Sequence, residues 1–424
     1  MQAMTLSVAF VVFLALSVLV RMWLASRQIR HVVAHRDAVP PQFAERITLN
    51  AHRRAADYTV AKVKLGIFDS LVSAVILVLL TLLGGLHWLA GLWAGWLPDA
   101  PLLQQVAIVV SVVLLTSLIE VPMDLYRQFR LEAKFGFNRM TPKLFFIDLV
   151  KSTALGTAIG IPLLAAVIWL MQQAGDYWWL WTWALWTVFN LVLLLLYPTV
   201  IAPLFNKFQP LESGAVRSRV ESLLKRCGFA SNGLFVMDGS KRSAHGNAYF
   251  TGFGKGKRIV FFDTLLSRLD VDEIEAVLAH ELGHFKKRHI IKRLCFSFVA
   301  SLAGLALLGY LSRQLWFYQG LGVPVDPTAG MPAGIALVLF FLALPAFTFV
   351  LRPLVTWFSR KDEFEADAYA ASLADPGRLT SALVKLYEDN ASTLTPDPVH
   401  SAFYDSHPPA AIRIDRLSSM APAA

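Results

Sequence analysis

The sequence predicts a mainly α, polytopic membrane protein of about seven transmembrane helices, with a small α+β zincin-like domain on the cytoplasmic side. Three observations carry that prediction. Of 424 residues, 56% are hydrophobic and only 16% charged, with mean hydropathy +0.52, which is too apolar for a soluble domain. Seven apolar runs recur, each near the roughly 20 residues that cross about 30 Å of hydrocarbon. Between the fifth and sixth runs the chain changes character, and short strand-like segments lead into His280-Glu281-Leu282-Gly283-His284.

The first run, about Met4–Leu24, has no basic residue before it and no clear small-residue cleavage site. It therefore reads as a retained membrane helix rather than a signal peptide. Further spans are expected near Leu65–Leu89, Leu103–Met123, Ser152–Met171, Trp178–Tyr197, Leu294–Trp316 and Ala333–Leu351. The organisation that follows is a five-span membrane region (1–199), a cytoplasmic insert (200–292), spans six and seven (293–352), and a C-terminal helical segment (353–424).

Basic residues set the orientation. The connection after the first span carries Arg27, Arg30, Arg36, Arg46, Arg53, Arg54, Lys62 and Lys64, and the one after the third carries Arg127, Arg130, Lys134, Arg139, Lys143 and Lys151. Ala94–Pro101 and Gln172–Asp176 carry none. The positive-inside rule then puts the N-terminus outside and the insert and tail in the cytoplasm. The formal net charge of +9 is scattered between apolar spans, so it reads as orientation charge and excludes a nucleic-acid surface. Cys227 and Cys295 have no CxxC spacing and read as ordinary reduced thiols. Asp69, Glu120 and Asn190 fall inside spans, where they serve either interhelical hydrogen bonding or a water-filled interior. Trp178, Trp179, Trp181 and Trp183 read as an interfacial belt.

In the insert, Glu212–Cys227 is patterned as a short amphipathic helix, and Leu234–Met237 and Ile259–Phe262 as strands, with Asn247–Phe250 extended between glycine-rich bends. An outer strand there offers free backbone to an extended peptide. Asp270 is a plausible N-cap for the next helix, with Glu273 three residues on. On that helix His280 and His284 share a face, so both can point a ring nitrogen at one metal ion, with Glu281 beside them as general base. The bland alternative is a pair of surface histidines.

Zinc catalysis needs a third protein ligand. His289 is five residues past His284 and points off the pair's face, and position 290 is isoleucine. The better source is Ser359–Asp367, with Ser359 as a possible cap. Glu363 and Asp367 share one helical face, with Glu365 roughly opposite. Glu363 as ligand, with Asp367 bonded to a ligand histidine, suits one helix, although most such acidic pairs are merely solvated.

These segments together resemble the integral-membrane CAAX prenyl endopeptidases, which are gluzincin-type metalloproteases. The resemblance rests on His280–His284, the Glu363–Asp367 helix, Asp238–Gly254, Ser406-His407-Pro408-Pro409 with Arg413, Lys134–Asn138 and Pro203–Lys207. It implies seven helices enclosing a water-filled chamber, which hydropathy alone does not. It also implies one Zn2+ per chain on His280, His284 and Glu363, and Glu281 as base. His407 and Arg413 would then assist at the substrate carbonyl and oxyanion, and Asn247 and Ala248 would align the substrate backbone. Without the resemblance His407 reads as a turn histidine beside two prolines.

Three functions remain open on sequence. One is cleavage near the C-terminus of prenylated CAAX-type proteins, and another is quality control of unlipidated membrane proteins. The third is a non-proteolytic chamber protein with structural zinc, which three ligands plus a free Glu281 disfavour. The expected partners are a peptide or lipidated protein and the bilayer, with no nucleic acid. The chain ends in Ala-Pro-Ala-Ala with no KDEL-type signal, which fits a bacterial inner membrane slightly better than the endoplasmic reticulum, the alternative. Oligomeric state is not legible.

Overall fold

The computed structural model describes residues 1–229, 231–251 and 257–420. Gly252–Gly254 of the glycine-rich motif and the terminal Ala-Pro-Ala-Ala lie outside them. The membrane part begins with α1 (Gln2–Ala34), α2 (Leu49–Leu80), α3 (Gly85–Trp96) and α4 (Pro101–Tyr126). It continues with α5 (Pro142–Gln173), α6 (Trp178–Leu196) and α7 (Ala202–Phe205). Then come β1 (Phe208–Pro210), α8 (Ala215–Arg226), β2 (Leu234–Met237), β3 (Ala248–Thr251), β4 (Arg258–Phe262), α9 (Asp263–Leu266) and α10 (Val271–Lys286). Two more spans follow as α11 (His289–Leu311) and, after α12 (Leu315–Gly320), α13 (Ala333–Thr348). The remainder is α14 (Arg352–Ala371), α15 (Pro376–Asp389), α16 (Pro398–Tyr404) and α17 (Ala410–Ser418).

Among the described residues, seven helices are long and apolar enough to cross a membrane. All seven depart from the expected bounds, and two of the departures bear on the site. The second span was expected to run to Leu89, but it starts at Leu49 and stops at Leu80. Thr48 caps its start, accepting a hydrogen bond from the Ala51 amide at 3.2 Å. Its end is a reversal through Gly84, whose φ of +79° is a left-handed value that glycine reaches without a Cβ penalty. The last span continues past Leu351: α13, a single 3-10 turn (Phe349–Leu351) and α14 make one nearly unbroken rod from Ala333 to Ala371. Ser359 is therefore inside a helix, and the cap expected of it does not exist.

The spans form a wall one helix thick. α1 packs on α2, α4 on α5, α5 on α6 and α6 on α11, while α13 touches α1, α4, α5 and α11. The most apolar stretches of the first six spans are only 6–17% buried, against 56% for the last. A helix with two open faces in such a wall turns one to lipid and the other to an enclosed space, and that space is the chamber. Glu120 is exposed on α4, and Asp69 on α2 meets Arg127 at 2.9 Å, polar surface that hydrocarbon would not tolerate. One end of the wall is closed by an apolar cluster around α13, with Phe10, Leu86, Ile108, Ile168 and Tyr318 fully buried.

The smaller domain is built on a four-stranded sheet in the order β1-β2-β4-β3. β2 and β4 run parallel in the middle, and among the described residues β3 pairs antiparallel with β4 alone, leaving its outer edge free of them. α8, α10, α14 and α15 cover the sheet through Val220, Leu223, Ile259, Phe261, Leu278 and Leu282. α10 begins where the capping box expected it: Asp270 accepts from the Glu273 amide and Glu273 from the Asp270 amide, both at 2.9 Å.

Candidate metal centre

Gly283 makes the site possible. A Cβ at this position would lie 2.8 Å from Ala366 Cα and 3.0 Å from its carbonyl oxygen, so only glycine lets α10 and α14 approach this closely. That approach brings His280, His284 and Glu363 together, with one donor atom from each lying within 4.8 Å of the others. His280 Nε2 and His284 Nε2 are 3.3 Å apart, and each faces a different Glu363 oxygen at 3.4 and 3.3 Å. Donors bound at 2.0–2.1 Å to one tetrahedral ion lie about 3.3 Å from each other, so the spacing fits a metal. Glu363 Oε2 is also buried without a hydrogen-bond partner. An orphaned carboxylate oxygen is costly unless a cation meets it.

Neighbours fix both imidazoles with Nε2 presented. His280 Nδ1 donates to Asp367 Oδ1 at 2.8 Å, as expected of Asp367. His284 Nδ1 bonds His289 Nδ1 at 2.9 Å, and buried His289 donates from its other nitrogen to Glu365 Oε2 at 3.2 Å, with Asp362 at 3.5 Å. This arrangement leaves the Nε2 lone pair of each ligand histidine free. His289 was left out of the expected ligand set, and its contact with His284 was missed, as was that of Glu365 with His289. A spacing of five residues is off-face on one helix. The chain, however, turns at Arg288, in the left-handed region at φ +59°, and folds His289 back.

The tail closes the site. His407 Nε2 lies 3.4 Å from Glu363 Oε1. Arg360 and Thr356 of α14 hold its approach by donating to the carbonyls of Asp405 (3.0 Å) and Ala402 (2.6 Å). Arg413 is buried; its Nε and Nη2 donate to both Asp367 oxygens at 2.9 and 2.6 Å, and Nη1 stays 4.0 Å from Glu363 Oε2. Arg413 thus steadies Asp367, and its Nη1 is left uncommitted to that carboxylate. Burial pushes the Glu281 carboxyl above its usual range, and the nearby Glu363 charge adds to this against the opposing histidines and Arg413. Asn247 caps the edge strand by accepting the Ala248 amide at 2.8 Å, and its carbonyl accepts from Phe262 at 3.0 Å. A cavity of about 400 Å³ beside His407 is walled by Gln28 of α1 and Tyr58 of α2.

Two imidazoles and a buried carboxylate with donor atoms within 4.8 Å of one another, a glutamate of raised pKa alongside, and seven spans long and apolar enough to cross a membrane define an integral-membrane metallopeptidase. Residues 28–207 match the model described as CAAX prenyl protease N-terminal, five membrane helices, and residues 210–421 match peptidase family M48. A CAAX prenyl protease 1 homolog of Oryza sativa subsp. japonica is 39% identical over 334 residues, 77% of this chain and 75% of the relative. The CAAX prenyl protease 1 of Saccharomyces cerevisiae is 34% identical over 400 residues (89% and 88%), and the Homo sapiens homolog 31% over 442 residues (94% and 92%). The crystal structure of S. mikatae Ste24p superposes with a TM-score of 0.90 at 31% identity, covering 97% of this chain and 99% of that one. The chain belongs to the CAAX prenyl protease family of M48 peptidases and is a multi-pass membrane metalloendopeptidase.

Proposed function

We propose that the protein binds one zinc ion on His280, His284 and Glu363 and cleaves peptide bonds near the C-terminus of prenylated CAAX-type substrates. The observation that carries this reading is the convergence of three donors around a buried, unpartnered Glu363 oxygen, with Glu281 left free on the same helix. A structural site would use four protein ligands and need no such base. The substrate class is supported by the printed names of the relatives, similar to this chain over most of its length.

The ion supplies Lewis-acid polarisation at the scissile carbonyl and at the attacking water. The chain's own residues do the rest. An extended peptide pairs with the free edge of β3 at Ala248, with Asn247 at its start. Glu281, its pKa raised by burial, takes the proton of the attacking water and passes it to the leaving amine. His407 Nε2 donates to the developing oxyanion, support of the kind worth about 3 kcal/mol per donor. Arg413 holds Asp367, which holds His280, and offers Nη1 towards the same oxyanion.

The basic connections put the N-terminus outside and the site on the cytoplasmic side. The same reading holds for a bacterial inner membrane and for the endoplasmic reticulum, where outside is luminal. The test is cleavage of a farnesylated CAAX peptide beside its unlipidated counterpart, with Glu281→Gln as control. The lipidated peptide should be cut faster, and the variant should keep its zinc while losing at least roughly 10²–10⁴-fold in turnover. Equal cleavage of both peptides would turn the assignment to membrane-protein quality control. Near-normal turnover by the variant would require another base.

A further inference from the structure

The cavity beside His407 has a free cation in its wall. Lys62 of α2 stands over the Tyr58 ring, its Nζ 4.9 Å from the centroid. Among the described residues it has no carboxylate within 4.0 Å. Glu132, the acid bound to Tyr58, accepts that hydroxyl at 2.6 Å and otherwise faces His245 at 3.7 Å. Asp405, the acid in the cavity lining, is in no ion pair with Lys62. Glu132 feels the Lys62 charge at longer range than an ion pair, so a lysine held on an aromatic face keeps its donors free of any direct carboxylate and is suited to meet an anion.

The cavity also lies on the path of a bound peptide. His245, two residues before the substrate-aligning Asn247, bonds Asn390 in the cavity wall at 2.9 Å. The cavity therefore sits at the N-terminal end of the free edge strand β3. A peptide antiparallel to β3 runs its C-terminus towards that end. Three extended residues span about 10 Å, and about 400 Å³ lies within the range of small-ligand pockets.

We infer that this cavity is the subsite for the C-terminal leaving segment, and that Lys62 pairs with its terminal carboxylate. The site thereby selects peptides that end a few residues past the scissile bond. This rests on the peptidase reading above. The test uses a farnesylated CAAX-type peptide with a free C-terminal carboxylate and the same peptide as its C-terminal amide. Wild-type protein should favour the acid by about tenfold in kcat/KM, as a close ion pair allows. Lys62→Ala should bring the acid down to the level of the amide, and Lys62→Arg should keep the preference. Metal content and thermal stability check that each variant is folded. Equal cleavage of acid and amide by wild type would overturn the subsite without any variant, as would a full preference surviving in folded Lys62→Ala. Wild type cutting neither peptide would overturn the peptidase reading itself and the subsite with it.

Discussion

His289 shows how a single residue can act through another. It touches no donor atom of the candidate metal site, yet its hydrogen bond to His284 Nδ1 fixes which nitrogen of that ligand faces the metal. Removing such a partner usually weakens metal binding by 10–100-fold. His289→Ala should therefore raise the metal dissociation constant by that factor, read by competition with a chromogenic chelator, while near-UV dichroism stays native. An unchanged constant would make His289 only a packing residue. At this scale the sequence was legible wherever helical spacing decides. His280, His284, Glu363 and Asp367 were readable because three- and four-residue spacings share a face. His289 was not, because the turn at Arg288 folds it back, and Glu365 was not, because its partner His289 is 76 residues away in sequence. Arg413 was placed by family resemblance, and only the fold shows its Nε and Nη2 committed to Asp367.

At the scale of elements, the contact between α10 and α14 is fixed by a missing side chain. Gly283→Ala puts a methyl 2.8 Å from Ala366 Cα, which is backbone and cannot swing aside. Overpacking of this kind costs about 1–3 kcal/mol. Because the same approach sets the distance from Glu363 to the histidines, the variant should lose thermal stability and metal affinity together. Normal affinity in a destabilised variant would separate the two. The edge strand makes the opposite case. β3 binds through backbone, so Ala248→Pro adds a ring and removes a donor on the strand proposed to align substrate. Cleavage should fall at least tenfold with zinc content unchanged, and wild-type kcat/KM would exclude the alignment role. Three of the four strands were legible from apolar runs flanked by glycines, whereas β1, only three residues long, was not. Their anchoring was not: Arg242 of the preceding loop donates to Asp148 of α5 at 2.8 Å and to the Phe205 carbonyl at 2.7 Å, and Phe137 stacks on His245 at 4.4 Å. Those pairings cross up to about a hundred residues of sequence, and no local pattern announces them. The length of α14 was misread for a related reason. Ser359 suits a cap, but continuity with the seventh span overrides that preference, and the residue sits in mid-helix.

For the whole molecule, the ligand helices belong to different parts of the chain. α10 leads through one turn into the sixth span, and α14 is the continuation of the seventh, so a metal shared by His280, His284 and Glu363 fastens the sheet domain to the membrane wall. The tail is fastened separately, through Arg27 of α1 paired with Asp397 at 2.9 Å, and that link does not depend on metal. Hydropathy revealed the wall but not this coupling, because apolar runs report which helices cross and not which are joined by an ion. Binding to the folded state alone stabilises it by about 2.7 kcal/mol at a hundredfold excess of metal over its dissociation constant. Chelation should therefore lower the melting temperature of the detergent-solubilised protein by several degrees, and added zinc should restore it. His284→Ala should already melt at the chelated temperature and show no further change with chelator. If chelation shifts wild type and His284→Ala equally, the stabilising ion sits elsewhere and the three-residue centre does not hold the two halves together.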